Sequence, residues 1–70
     1  MASNGEIYHL AFNLHDELMK KDIKVTTVEI RDYLTELNTQ GMSLADMEKK
    51  AREAAMEIHN KKISALKASG

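Results

Sequence analysis

The side chains best suited to chemistry in this chain are three histidines, His9, His15 and His59, with Asp16 and Glu17 following directly on one of them. Two metal ligands on a helix should stand three or four residues apart, on one face. His9 and His15 are six apart, which separates them by about 120° at 3.6 residues per turn. His15, Asp16 and Glu17 are consecutive and point in different directions, so they do not converge on one ion. The spacing predicts no metal and no cofactor. His15 reads instead as a helix-face residue beside Tyr8 and Met19. The chain has no cysteine, which removes thiolate nucleophiles, disulfides and cysteine-ligated zinc together. Its three glycines, Gly5, Gly41 and Gly70, are too scattered for a phosphate-cradling loop. Seventy residues also leave little room to enclose a ligand. The expectation is a protein that is not an enzyme and acts by contact.

The elements that position these groups are announced by a repeated start signal. Ser3-Asn4-Gly5-Glu6, Thr26-Thr27-Val28-Glu29 and Ser43-Leu44-Ala45-Asp46 each set a hydroxyl three residues before a carboxylate. In that arrangement the hydroxyl accepts from an exposed helical N–H and the carboxylate reaches back to the cap N–H. Asp46 is shorter than Glu, so the third box is the weakest. Val25 with Ile30, and Met42 with Met47, stand where apolar staples would close the entries of the second and third helices. The prediction is an all-α, three-helix domain with helices over about 4–21, 27–37 and 44–67. One domain covers residues 1–70, with fraying expected at 1–3 and 68–70. The segment Asp22 to Val25 is expected to be an extended connection, and Gly41 to supply a left-handed turn residue.

Apolar periodicity agrees with this division. Ile7, Leu10, Ala11, Leu14 and Leu18 make a buried stripe on the first helix; Ile30, Tyr33, Leu34 and Leu37 make one on the second. On the third, Leu44, Met47, Ala51, Ala54, Ala55 and Ile58 form a stripe that meets Lys62 where another apolar residue would fall. Two further lines exceed what one small core needs: Tyr8, Phe12, His15 and Met19 on the first helix, and Met56, His59, Ile63 and Leu66 on the third. These eight residues are the candidate partner or dimer face, and a homodimer is expected.

The middle of the chain, KVTTVEIRDYLTELNTQGMSLADM, has the form of a helix-turn-helix, in which the second helix enters the DNA major groove. Its reading positions would come from Ser43, Ala45, Asp46, Glu48 and Lys49. The turn, Asn38 to Met42, is longer than the usual three or four residues. Charge argues against this use. Residues 1–48 carry nine acidic and four basic side chains, residues 49–70 two acidic and six basic. DNA affinity comes largely from Lys and Arg on phosphates, whereas Asp46 and Glu48 sit at the end that would read the bases. Lys49, Lys50, Arg52, Lys61 and Lys62 are the contacts that a nucleic-acid role would require. Mixed charge on the long helix reads first as a solvated face with pairs such as Glu57–Lys61.

No run of about 20 apolar residues is present, so no membrane span is expected. No basic start leads into an apolar stretch and cleavage site, so a cytoplasmic location is expected. Taken together, the sequence predicts a small regulatory or inhibitory protein working through helix-mediated protein–protein binding, with DNA-binding regulation as the alternative.

Overall fold

The computed structural model describes residues 2–69, and the side chains of 2–67, as three helices: α1 Asn4–Lys20, α2 Thr27–Thr39 and α3 Leu44–Ser69. The expected all-α class is observed, and no strand occurs among the described residues. Compared with expectation, α1 ends one residue early, and α2 and α3 each run two residues further.

The helix starts follow from the boxes. Ser3 Oγ accepts from the Glu6 N–H at 3.2 Å while Glu6 Oε1 accepts from the Ser3 N–H at 3.0 Å. Thr26 and Glu29 repeat the exchange at 3.1 and 3.0 Å. Only half of the third box forms: Ser43 Oγ accepts from the Asp46 N–H at 3.3 Å. The Asp side chain lacks the methylene that lets Glu reach back.

The end of α1 departs from the expected extended connection. Asp22 takes φ 61°, in the left-handed region, and its N–H donates to the Met19 carbonyl while the Ile23 N–H donates to Leu18. This pair of bonds is a Schellman closure, with Ile23 and Leu18 in the apolar contact that accompanies it. Both are buried. Asp fills a position usually given to glycine because its short polar side chain tolerates that conformation. Gly41, at φ 77°, closes α2 as expected. The connection between α2 and α3 is Gln40 to Ser43, four residues, so the turn is not longer than usual for a helix-turn-helix.

The core is Ile7, Ala11, Leu14 and Leu18 of α1, Ile30, Leu34 and Leu37 of α2, and Met47, Ala51 and Ala55 of α3, closed by Ile23 and Val25. Leu14, Leu34 and Met47 are fully enclosed; burying a side chain of that size contributes roughly 1.5–3 kcal/mol. Leu44 is not in the expected stripe: it is partly exposed, in a groove with Glu6, His9 and Leu10 of α1. Met42 packs on the core as a staple should.

Side-chain pairings give the directions of the helices. Ala2 donates its N–H to Asn38 Oδ1 at 3.0 Å and accepts from Asn38 Nδ2 at 2.9 Å. The start of α1 therefore lies beside the end of α2, and the two run antiparallel. Glu17 meets Arg52, and Lys24 meets His59, so α3 runs parallel to α1. At about 1.5 Å per residue, α3 is far longer than its neighbours, and its last buried residue among the described side chains is Ala55. Its final turns project from the bundle, giving a long dimension of 43 Å. Of the segments expected to fray, Ala2 and Ser3 carry the bonds above, while residues 1 and 70 lie outside the described residues.

Candidate interaction surface

The outer side of α1 is built by residues that each directly follow a residue of the core stripe and are rotated from it by about 100°. Tyr8, Phe12 and Met19 are 45, 61 and 49% exposed, with His15 half-buried among them. The structure brings these four into one surface, because α2 starts beside them. Thr27 and Val28 form a shallow groove with Tyr8, Phe12 and Arg31. A second groove continues it, lined by His15, Met19, Val25 and Val28 and bounded by Lys62. Val28, 54% exposed, was not legible as part of this face. It lies inside a helix-start signal, and only the antiparallel placement of α2 against α1 sets it next to Phe12.

Arg31 stiffens one wall. Its guanidinium lies 5.6 Å from the Tyr8 ring centroid, within cation–π range, and Nη1 donates to Tyr8 Oη at 3.3 Å. Asp32 Oδ1 accepts from Nη2 at 2.9 Å and from Nε at 3.2 Å. Asp32 first, then Tyr8, raises the Arg31 pKa above its ordinary value; an arginine is a permanent cation in any case. The surface thus combines the rings of Tyr8, Phe12 and His15 and the apolar side chains of Met19 and Val28 with the Arg31 cation. Its apolar side chains are edged by the polar groups of His15, Thr26, Thr27 and Lys62.

The second expected line is not one face. Met56, Ile63 and Leu66 are exposed, at 43, 36 and 73%. His59 is turned towards the bundle, where Nδ1 accepts from the Lys24 N–H at 2.9 Å. One turn on, Lys62 Nζ donates to the Lys24 carbonyl at 3.2 Å and to Glu29 Oε1 at 2.7 Å. Together His59 and Lys62 clamp the α1–α2 connection to α3. Lys62 interrupts the apolar stripe because that position meets a backbone carbonyl and a carboxylate rather than the core. The ammonium is the main reason the Glu29 carboxyl titrates below its ordinary value, the Thr26 N–H the next.

The five cations singled out for nucleic acid divide into two groups. Arg52 is tied within the fold: Nε and Nη2 grip the Glu17 carboxylate at 2.8 and 3.0 Å, and Nη2 also reaches Glu48 at 2.7 Å. Glu17 is held below its ordinary pKa chiefly by that grip, and the Arg52 pKa is raised correspondingly. Lys62 is bound as described. Lys49, Lys50 and Lys61 are exposed and make no ion pair within 4.0 Å among the described residues. The expected Glu57–Lys61 pair does not form; the pair four residues apart on α3 is Glu48–Arg52. His15, Asp16 and Glu17 diverge: Glu17 turns to Arg52 and Asp16 to Lys20, 3.5 Å away.

No helix among the described residues is long and apolar enough to cross a membrane. Compared with protein-family models, curated proteins and solved structures, the chain gives no significant match.

Proposed function

We propose that this chain is a small regulatory or inhibitory module that binds another protein through the α1–α2 surface, and that it does so as a homodimer. The observation supporting this is the cluster of Tyr8, Phe12, Met19 and Val28, four large apolar side chains held in view on rigid helices. Single exposed apolar residues are ordinary, whereas contiguous ones edged by polar groups mark contact surfaces. Aromatic and methionine side chains give large contact area with little loss of side-chain freedom or with ready adaptation. Arg31 beside Tyr8 adds a residue pair of the kind that dominates binding energy at such surfaces. Use of Arg52 and Lys62 inside the fold, with Asp46 and Glu48 near the start of α3, favours a protein over a nucleic acid as the partner.

The test is a comparison of the native chain with Phe12→Glu and Val28→Glu, both exposed positions at which the fold should persist. A protein captured from the cell of origin is identified, purified and measured against all three chains. Binding weakened at least tenfold by either substitution, with the helical content unchanged, supports the reading. Equal binding by all three chains refutes it.

A further inference from the structure

We propose that the partner seats an acidic amphipathic helix on the α1–α2 surface, with its apolar side chains on Phe12, Met19 and Val28 and its carboxylates against Arg31 at one end and Lys24 and Lys62 at the other. This partner chemistry rests on the contact-surface reading above and is independent of the homodimer.

Charge points to the occupant. Residues 1–48 carry nine acidic side chains and four basic ones, so most faces built from them are acidic. The two grooves of the α1–α2 surface are the reverse. The charged residues lining them are Arg31 in one and Lys24 and Lys62 in the other, all cations. A separate groove between the starts of α1 and α3, lined by Leu10 and Leu44, is edged instead by Glu6 and Glu48. The molecule thus offers apolar grooves of opposite sign, and an occupant that carries charge as well as apolar surface is directed to one and rejected by the other.

Each cation keeps donors for a second carboxylate. An ammonium has three N–H groups and a guanidinium five. Lys62 Nζ donates to Glu29 and to the Lys24 carbonyl, which leaves one. Arg31 directs Nε and Nη2 to Asp32 and Nη1 to Tyr8, one N–H from each nitrogen. Lys24 Nζ lies 3.0 Å from Asp22, and both side chains are more than half exposed; pairs of that kind hold too weakly to resist exchange.

Shape selects a helix. The two grooves share Thr27 and Val28, so they form one trough beside α1 from Tyr8 to Met19. Its length is about 16 Å, the span of about three turns of a partner helix. Regular structure among the described residues is entirely helical, so an extended segment finds no sheet edge there to join. Contact is then carried by side chains spaced three and four residues apart on one helical face. Arg31 belongs to the Tyr8 end of the trough, and Lys24 and Lys62 to the Met19 end. A matching helix therefore carries carboxylates near both ends of its apolar stripe.

The test is selection on the native chain from a displayed library of random segments, each about 16 residues or four helical turns long. Enriched segments should hold more Glu and Asp than Lys and Arg, with apolar residues three and four apart. Phe12→Ser should weaken their binding at least tenfold. One such segment is then made with every Glu and Asp replaced by Gln and Asn, and at low salt it should bind the native chain about tenfold more weakly than its parent. Lys24→Gln and Arg31→Gln, each with unchanged helical content, should each weaken the parent about three- to fivefold, and together they should remove its advantage over the amide version. That advantage should also shrink as salt rises, because exposed charges are screened. Segments that need Phe12 yet are neutral or basic, that lack helical spacing, or that bind equally well as amides overturn the acidic helix and leave the contact surface standing. Segments indifferent to Phe12→Ser, or a library with none enriched, overturn the contact surface and this occupant together.

Discussion

Replacing Lys62 with leucine separates two readings of the same position. On periodicity alone, Lys62 breaks the apolar stripe of α3, and leucine would repair it and stabilise the chain. In the structure, Lys62 Nζ is 2.7 Å from Glu29 Oε1 and 3.2 Å from the Lys24 carbonyl. A hydrogen bond to a charged group contributes about 1.5–3 kcal/mol net and a neutral one about 0.5–1.5. Both Lys62 and Glu29 keep a third or more of their side-chain surface in water, which reduces the ionic part towards the 0–1 kcal/mol of surface pairs. The expected loss is about 1–2 kcal/mol. A domain this small commonly has about 3–5 kcal/mol in all, and each kcal/mol lowers Tm by roughly 4–8 °C. Urea unfolding followed by circular dichroism should show a lower midpoint with unchanged slope. Glu29→Gln keeps the capping box, since Gln serves there too. In a double-mutant cycle it should show coupling to Lys62 of about 0.5–1 kcal/mol. A Lys62→Leu midpoint equal to or above that of the native chain would refute the clamp.

Further outcomes follow from the turns and the acids. Gly41→Ala should cost about 1 kcal/mol through φ alone, because a Cβ there meets no atom within 4 Å; a loss above about 3 kcal/mol in urea unfolding would mean a contact the structure lacks. Asp22→Val, a β-branched residue at φ 61°, should cost about 1–2 kcal/mol, read the same way. Asn38→Ala removes both bonds to Ala2 and should lose about 1–2 kcal/mol, with faster amide exchange confined to the start of α1. Glu6, Glu17 and Glu29 all have carboxyls lowered from the ordinary 4.5, by the Ser3 N–H, by Arg52 and by Lys62 respectively. Depressed carboxylates contribute stability above their unfolded pKa and lose it as pH falls through the folded values. Stability should therefore be level from neutral pH to about 5 and drop below about 4.5. A rise in stability between pH 5 and 3 would contradict the assignment.

What the sequence made legible was local. Hydroxyl and carboxylate three residues apart marked each helix start, because cap and partner lie within one turn, and even the weakness of the Asp46 box was visible in the length of its side chain. The apolar stripes named all ten helical residues of the core for the same reason. What stayed hidden depended on which helices become neighbours. Arg52 and Glu17, His59 and Lys24, and Lys62 and Glu29 are separated by more than 30 residues, and no periodicity relates them. Lys62 on a buried stripe was the one available signal: a cation there needs an acceptor across the fold. Asp22 was readable only as polar, yet it holds the conformation that closes α1. The Tyr8, Phe12, His15 and Met19 face was visible as an excess of apolar surface. Val28 and Arg31, which complete it, were not.

The central claim is that Tyr8, Phe12, Met19 and Val28 form the contact surface for another protein. Its most direct test is photo-crosslinking in the cell of origin, with a benzophenone residue placed in turn at Phe12, Met19, Val28, Ala45, Lys49 and Lys50. Adducts with one common protein at the first three positions, and none at the last three, are the predicted result. Adducts with nucleic acid at Ala45, Lys49 and Lys50, or none at Phe12 and Val28, would contradict it.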